Sequence, residues 1–170
     1  MIFVTVGTHE QQFNRLVKYM DNFSSSKVVN DDIIIQTGYS TYVPQHCEWK
    51  KFFPYQEIEK NVARARIVIT HGGPSSFIMP LRMGKIPIVV PRQKKFEEHV
   101  NDHQLEFCEA VALRQKKIIV LENVKELAKT IINYNNMISQ MENETASHNN
   151  VFCMDLEKIM KRLCGDRYDS

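Results

Sequence analysis

Cysteine is scarce and badly spaced for chemistry. The 170 residues hold four, Cys47, Cys108, Cys153 and Cys164, and no two stand as C-x-x-C. That excludes a zinc ribbon and a thioredoxin-type redox pair, and the four read as reduced thiols of a cytosolic chain. No apolar run approaches the roughly eighteen residues that cross a bilayer. The opening stretch, "MIFVTVGTHEQQF", is apolar for only six residues and carries no basic segment ahead of them. It predicts a strand rather than a secretion signal. No G-x-G-x-x-G follows that run, and no G-x-x-x-x-G-K-[ST] occurs anywhere. A dinucleotide site and a P-loop NTPase are both disfavoured. Charge of neither sign dominates: the net charge is +2 and the pI about 8.3. No basic stripe interleaved with aromatics suggests nucleic acid. Arg92, Lys94 and Lys95 form one small basic cluster, read as a solvated surface or as an anion or membrane contact. Asn143-Glu144-Thr145 matches the glycosylation acceptor pattern, which a cytosolic chain leaves unused.

What is present is ordinary in bulk and specific in order. Hydrophobic residues make up 43% and charged residues 25%, the balance of a globular protein. The length suits a single domain spanning 1–170. Apolar runs at 2–6, 33–37, 66–70, 86–90 and 117–120 predict five strands. Between them, residues recur at helical spacing: Phe13, Leu16, Val17 and Met20; Ile58 and Val62; Phe77 and Leu81, with Gly84 placed to end that helix; Val100, Gln104, Phe107, Cys108 and Val111. Longer helices are expected at about 123–141 and 151–164, joined by the polar segment 141–150. Apolar strands alternating with helices predict a doubly wound, parallel α/β sheet, Rossmann-like in architecture.

In such sheets ligands bind beyond the carboxyl ends of the strands. The first strand runs into "GTHEQQF" (7–13), where a turn at Gly7, the Thr8 hydroxyl and a helix expected to begin near Glu10 could hold a phosphate; a plain strand-to-helix turn is the alternative. The third ends in "THGGPSSF" (70–77). There Gly72 and Gly73 bare the backbone, Pro74 suits a helix start, and Ser75 or Ser76 can cap it or reach a ligand. His71 could donate to an anion at that helix terminus. Pro80 inside the helix predicts a late start or a kink. His99 and His103 have the i,i+4 spacing of a zinc pair, but no Glu follows the first and no third ligand is evident, so no metal site is expected. Asp102, His103 and Gln104 read as a polar helix start able to hydrogen-bond sugar hydroxyls.

Four stretches in order, "VTVGTHEQQFNRL" (4–16), "VITHGGPSSF" (68–77), "GKIPIVVPR" (84–92) and "NDHQLEF" (101–107), together resemble the C-terminal domain of family 28 glycosyltransferases. The resemblance covers roughly residues 1–110. It implies one half of the GT-B fold, the Rossmann-like half that binds a nucleotide sugar. The closest resemblance is to stand-alone versions of that half: bacterial capsule and exopolysaccharide subunits, often β-1,4-galactosyltransferases, and the eukaryotic subunit of a dolichol-pathway GlcNAc transferase. It therefore implies a UDP-sugar-binding subunit of a two-chain inverting glycosyltransferase extending a lipid-linked saccharide. A membrane-anchored partner would supply the other half and recruit this cytoplasmic chain to the inner face of the membrane. UDP-galactose or UDP-GlcNAc would be the donor, with no further cofactor.

On residue matching, the resemblance puts Gly7, Thr8 and His9 near the diphosphate. His71, Gly72, Gly73, Ser75 and Ser76 would face phosphates and ribose. Gln104, with Asp102 and His103, would face the sugar, and "KFFPY" (51–55) would clasp uracil through backbone groups. Many members carry an acid six residues after the second glycine, where it grips the ribose; here that position is Met79. This departure motivates an alternative, a non-catalytic activator of a membrane-bound partner. No carboxylate stands out as the catalytic base. The final helices could serve as core-packing faces or as docking surfaces for the partner.

Overall fold

The computed structural model describes residues 1–115 and 117–144. The expected helix at 151–164, most of the 141–150 segment, Thr145 of the acceptor pattern, Cys153 and Cys164 lie outside them. Six parallel strands form one sheet: β1 (Ile2–Thr5), β2 (Ile33–Gln36), β3 (Glu48–Lys50), β4 (Ile67–His71), β5 (Ile88–Val90) and β6 (Ile119–Val120), in the order β3-β2-β1-β4-β5-β6. The helices are α1 (Asn14–Ser25), α2 (Tyr55–Arg64), α3 (Pro74–Arg82), α4 (His103–Gln115) and α5 (Leu127–Glu144).

Alternation along the strands sends side chains to two faces. Ile2, Val4 and Val6 pack with Leu16, Val17 and Met20 of α1 and with Leu127, Ile131 and Tyr134 of α5. Phe3 and Val68 face the other way, against Val62 of α2 and the partly buried Met79 and Met83. Val89 joins Phe77 and Leu81 of α3 and Phe107, Cys108 and Val111 of α4. Helices therefore cover both faces, and burying each such side chain contributes about 1.5–3 kcal/mol. α5 begins behind a 3-10 turn at Val124–Glu126 and is tied to the sheet where the Tyr134 hydroxyl donates to the Ile86 carbonyl at 2.7 Å. Among the described residues, no helix is long and apolar enough to cross a membrane.

The order of β1 and β4 positions everything that follows. The chain winds outward from β1 to β3, then returns to lay β4 on the opposite side of β1, with Thr5 beside Thr70. The carboxyl ends of β1 and β4 thus flank the crevice where the winding reverses. Gly84, with φ of +72°, ends α3 as expected; the helix starts at Pro74 and runs through Pro80 rather than starting late. β3 is a strand the apolar runs do not predict: Glu48, Trp49 and Lys50 are all exposed on an edge, paired only with β2.

Candidate functional site

Residues 7–13 form a loop, because α1 begins at Asn14 rather than near Glu10. Its start is already occupied: the Asn14 N–H donates to Gln12 Oε1 at 2.7 Å and the Phe13 N–H to Ser40 Oγ at 3.1 Å. The helix terminus available to a ligand is that of α3. Gly73 is its N-cap, with no side chain to cap the first turn; its carbonyl accepts the Ser76 N–H at 3.0 Å.

His71 is the hub. It ends β4, is 8% exposed, and is sandwiched between two bare backbone segments. A Cβ on Gly7 would lie 2.3 Å from its Cε1, and one on Gly73 would lie 2.4 Å from its Nε2. Gly7 also has φ of +74°, a conformation side chains rarely adopt. Glycine at both positions is what lets the imidazole sit between the loops. Its Nδ1 is buried with no hydrogen-bond partner. Burial, then the nearby Arg92 charge, pushes the His71 pKa down to about 3, with the Thr5 carbonyl pulling weakly the other way. The ring is neutral at physiological pH. An anion placed beside it would relieve the very charges that depress it.

Arg92 fixes the loop after β1. It is fully buried, so the basic cluster read from the sequence divides: Lys94 and Lys95 are exposed, Arg92 is internal. Its guanidinium donates to the carbonyls of Val6, Gln11, Gln12 and Glu98 at 2.9–3.2 Å and stacks 4.8 Å from the Phe13 ring centre. Glu98, also buried, accepts a two-pronged pair from Arg15 at 2.9 Å on each oxygen and the Gln93 N–H at 3.1 Å. Gln12 Nε2 donates to the Phe96 carbonyl at 3.1 Å. The loop after β5 is thereby folded back over the loop after β1.

The structure brings most of the expected residues together. Gly7, His9, His71, Gly72 and Gly73 converge at the β1–β4 crevice, with Thr8 exposed beside Gly7. Gln104 packs on Gly72, where a Cβ would lie 3.0 Å from its own, and its Oε1 accepts the Arg92 N–H at 3.3 Å. Ser75 is exposed at the start of α3. Ser76 turns inward instead, its hydroxyl donating to the carbonyl of His71 at 2.9 Å and also to that of Gly73. Asp102 Oδ1 accepts the Lys94 N–H at 2.8 Å, ordering the loop after β5. His103 points outward, 3.3 Å from Glu106. α4 starts at His103, so His99 is not on that helix and the pair has no shared helical face; its ring lies against His9. Met79 packs with Phe3, Phe53 and Val62 beneath α3. In the 51–55 loop, Phe53 is buried with its N–H on Gln36 Oε1, while Phe52 is exposed and meets Tyr39 edge-on at 5.3 Å, Lys51 lying over both rings.

Sequence reading passes over Glu98, and it places Arg92 in a basic cluster and His99 in a zinc-spaced pair rather than in this crevice. A basic residue after a strand and an acid six positions on look solvated until the tertiary fold buries them. A groove of about 730 Å³ also exists, but at the opposite, amino-terminal end of the sheet, among Met1, Ile33, Asp31, Lys50 and Glu57. Two of its acids are paired, Glu57 with Lys50 and Asp31 with the amino terminus and Arg66. Nothing there matches the unpartnered imidazole of the carboxyl end.

Comparison with known proteins bears on the fold and the family. The human UDP-N-acetylglucosamine transferase subunit ALG13 is 30% identical over 116 residues, which cover 63% of this chain; the chain spans only about a tenth of that relative's length (10%). Among solved structures, the glycosyltransferase of kitacinnamycin superposes with a TM-score of 0.53 at 14% identity, across 95% of this chain and 43% of its own. SnogD from Streptomyces nogalater and the calicheamicin glycosyltransferase CalG4 each give 0.50 at 12% identity, with the same coverage. These likenesses show the fold, that of one half of a GT-B glycosyltransferase. The model of the glycosyltransferase family 28 C-terminal domain matches residues 1–163, and the chain belongs to that family.

Proposed function

We propose that this chain is the UDP-sugar-binding half of an inverting glycosyltransferase completed by a second, membrane-anchored chain, and that its donor is UDP-galactose used in capsule or exopolysaccharide synthesis. The observation that carries the reading is the neutral, buried His71 held between Gly7 and Gly73 at the crevice where the sheet reverses. Cleavage of a UDP-sugar leaves negative charge on the diphosphate. Fixed backbone N–H groups at the start of α3 and imidazole N–H groups can meet that charge without reorganising. Uracil would lie toward the 51–55 loop, where Tyr39 and Phe52 offer exposed rings. Gln104, which packs on Gly72, would reach the sugar. Glu98 is buried in its pair with Arg15 and is no candidate base, so deprotonating the acceptor hydroxyl falls to the partner.

Calorimetric titration of the chain, alone and in complex with its partner, with UDP, UDP-galactose and UDP-GlcNAc tests the reading. Binding that weakens at least about tenfold in His71→Ala supports it. No binding in either form refutes it. A second reading, a non-catalytic activator, is favoured by Met79, which packs inward and offers no carboxylate. Unchanged turnover of the complex carrying His71→Ala and Gln104→Ala would select it.

A further inference from the structure

His9 and His99 repeat one arrangement on two loops. The His9 Nδ1 accepts the N–H of Gln11 at 3.3 Å, and the His99 Nδ1 accepts the N–H of Asn101 at 3.4 Å. In each case the bond comes from the residue two positions on. An imidazole nitrogen that accepts carries no hydrogen, so the ring's hydrogen sits on Nε2. The two rings meet with centroids 5.0 Å apart and planes 37° apart. Neither Nε2 has a protein partner among the described residues, and neither is sealed from solvent.

His9 stands where added positive charge is resisted. His9, His99 and His71 gather around the Arg92 charge, and His9 titrates below the usual histidine range, through burial first and then His99 and Arg92, with Glu10 opposing. His9 is exposed, so ring stacking there gains little. Two long-range connections fix the loops that carry the rings: Arg92 to the Gln11 and Gln12 carbonyls, just beyond His9, and Arg15 to Glu98, the residue before His99. An anion between the loops accounts for both the effort and the orientation.

We propose that His99 is a ligand of the donor diphosphate, acting with His9 through Nε2–H groups whose direction is set by the backbone bonds to Nδ1. This rests on the UDP-sugar reading above. It assigns to His99 a role different from the metal-ligand spacing it has in the sequence.

Side-chain substitution separates the roles. Glutamine places an amide N–H near the position of Nε2, whereas asparagine reaches only the level of Nδ1. UDP-galactose titrated into the full chain should bind His99→Ala and His99→Asn about 10-fold or more weakly, and His99→Gln within about threefold of the unsubstituted chain. Long-range nitrogen–proton spectra of labelled protein should show the Nε2–H form at His9 and His99, with both Nε2 signals moving when UDP-galactose is added. Equal affinity of His99→Ala and the unsubstituted chain overturns the assignment, as does an Nδ1–H form at His99, or glutamine and asparagine variants equally weak. In each of those cases the unsubstituted chain still binds, and the UDP-sugar reading stands. No binding by the unsubstituted chain, either alone or in complex with its partner, overturns both.

Discussion

Substituting Gly7 by alanine tests the central geometry through two separable costs. The first is conformational. Gly7 has φ of +74°, and an L side chain there costs about 1–2 kcal/mol. The second is collision. The new Cβ would lie 2.3 Å from Cε1 and 2.7 Å from Nε2 of His71, a ring buried to 8% exposure with no room to swing aside. Overpacking of that kind costs about 1–3 kcal/mol. Gly7→Ala should therefore destabilise the fold by about 2–5 kcal/mol in urea unfolding, with the slope unchanged. His71→Ala removes the obstacle, and in that background Gly7→Ala should retain only the conformational cost, about 1–2 kcal/mol. Gly73→Ala supplies the control. Its φ of −72° is ordinary, but its Cβ would lie 2.4 Å from Nε2. It should cost about 1–3 kcal/mol alone and less than about 0.5 kcal/mol beside His71→Ala. If Gly7→Ala and Gly73→Ala cost the same with and without His71, the imidazole is not the wedge between the loops, and the account of the site fails.

Two other perturbations probe the surroundings. Arg92→Met leaves the carbonyls of Val6, Gln11, Gln12 and Glu98 without their shared donor, and should lower stability by about 3–5 kcal/mol while weakening UDP binding; an unfolding free energy from urea titration lowered by less than about 1 kcal/mol would contradict it. Stability should also fall with acid. His71 has a folded pKa of about 3 against 6.5 in the unfolded chain, so below pH 6.5 the unfolded state binds the extra proton. The contribution is complete above pH 6.5 and is lost as the pH drops toward 3. Between pH 7 and pH 5 the loss is about 2 kcal/mol, and His71→Gln should flatten that part of the profile.

The strands that carry the site are legible because they are buried on both faces. "IFVT", "IIIQ", "IVITH" and "IVV" each sit inside an apolar run and need no partner information to be found. β3 is not legible. "EWK" is exposed throughout and becomes a strand only by pairing with β2. The glycine-rich turn after β4 is legible for the same local reason as its strand. The start of α1 is misplaced because its caps come from Gln12 and, across the loop, from Ser40. His99 fails on the same ground. Its nearest sequence pattern is the spacing to His103, but its position is dictated by Glu98, which pairs with Arg15 at a separation of 83 residues.

The cost borne at His71 argues for what the crevice is for. A strand end that only had to pack would be served by an apolar residue at that position, as Val90 serves β5 with no exposed surface. The chain instead buries an imidazole whose Nδ1 has no partner, a penalty of about 1–3 kcal/mol, and keeps a bare, positive-φ glycine at position 7 to accommodate it. Arg92 then adds a buried positive charge beside it, pushing the ring further from protonation. The unpartnered nitrogen and the buried charge are unfavourable in a core, and an anion between the loops would offset both. The rigidity supplied by Arg92 and the Arg15–Glu98 pair means that the donors need not be ordered at the moment of binding. On the proposed UDP-sugar reading, stability given up at the crevice would be recovered as affinity for the diphosphate.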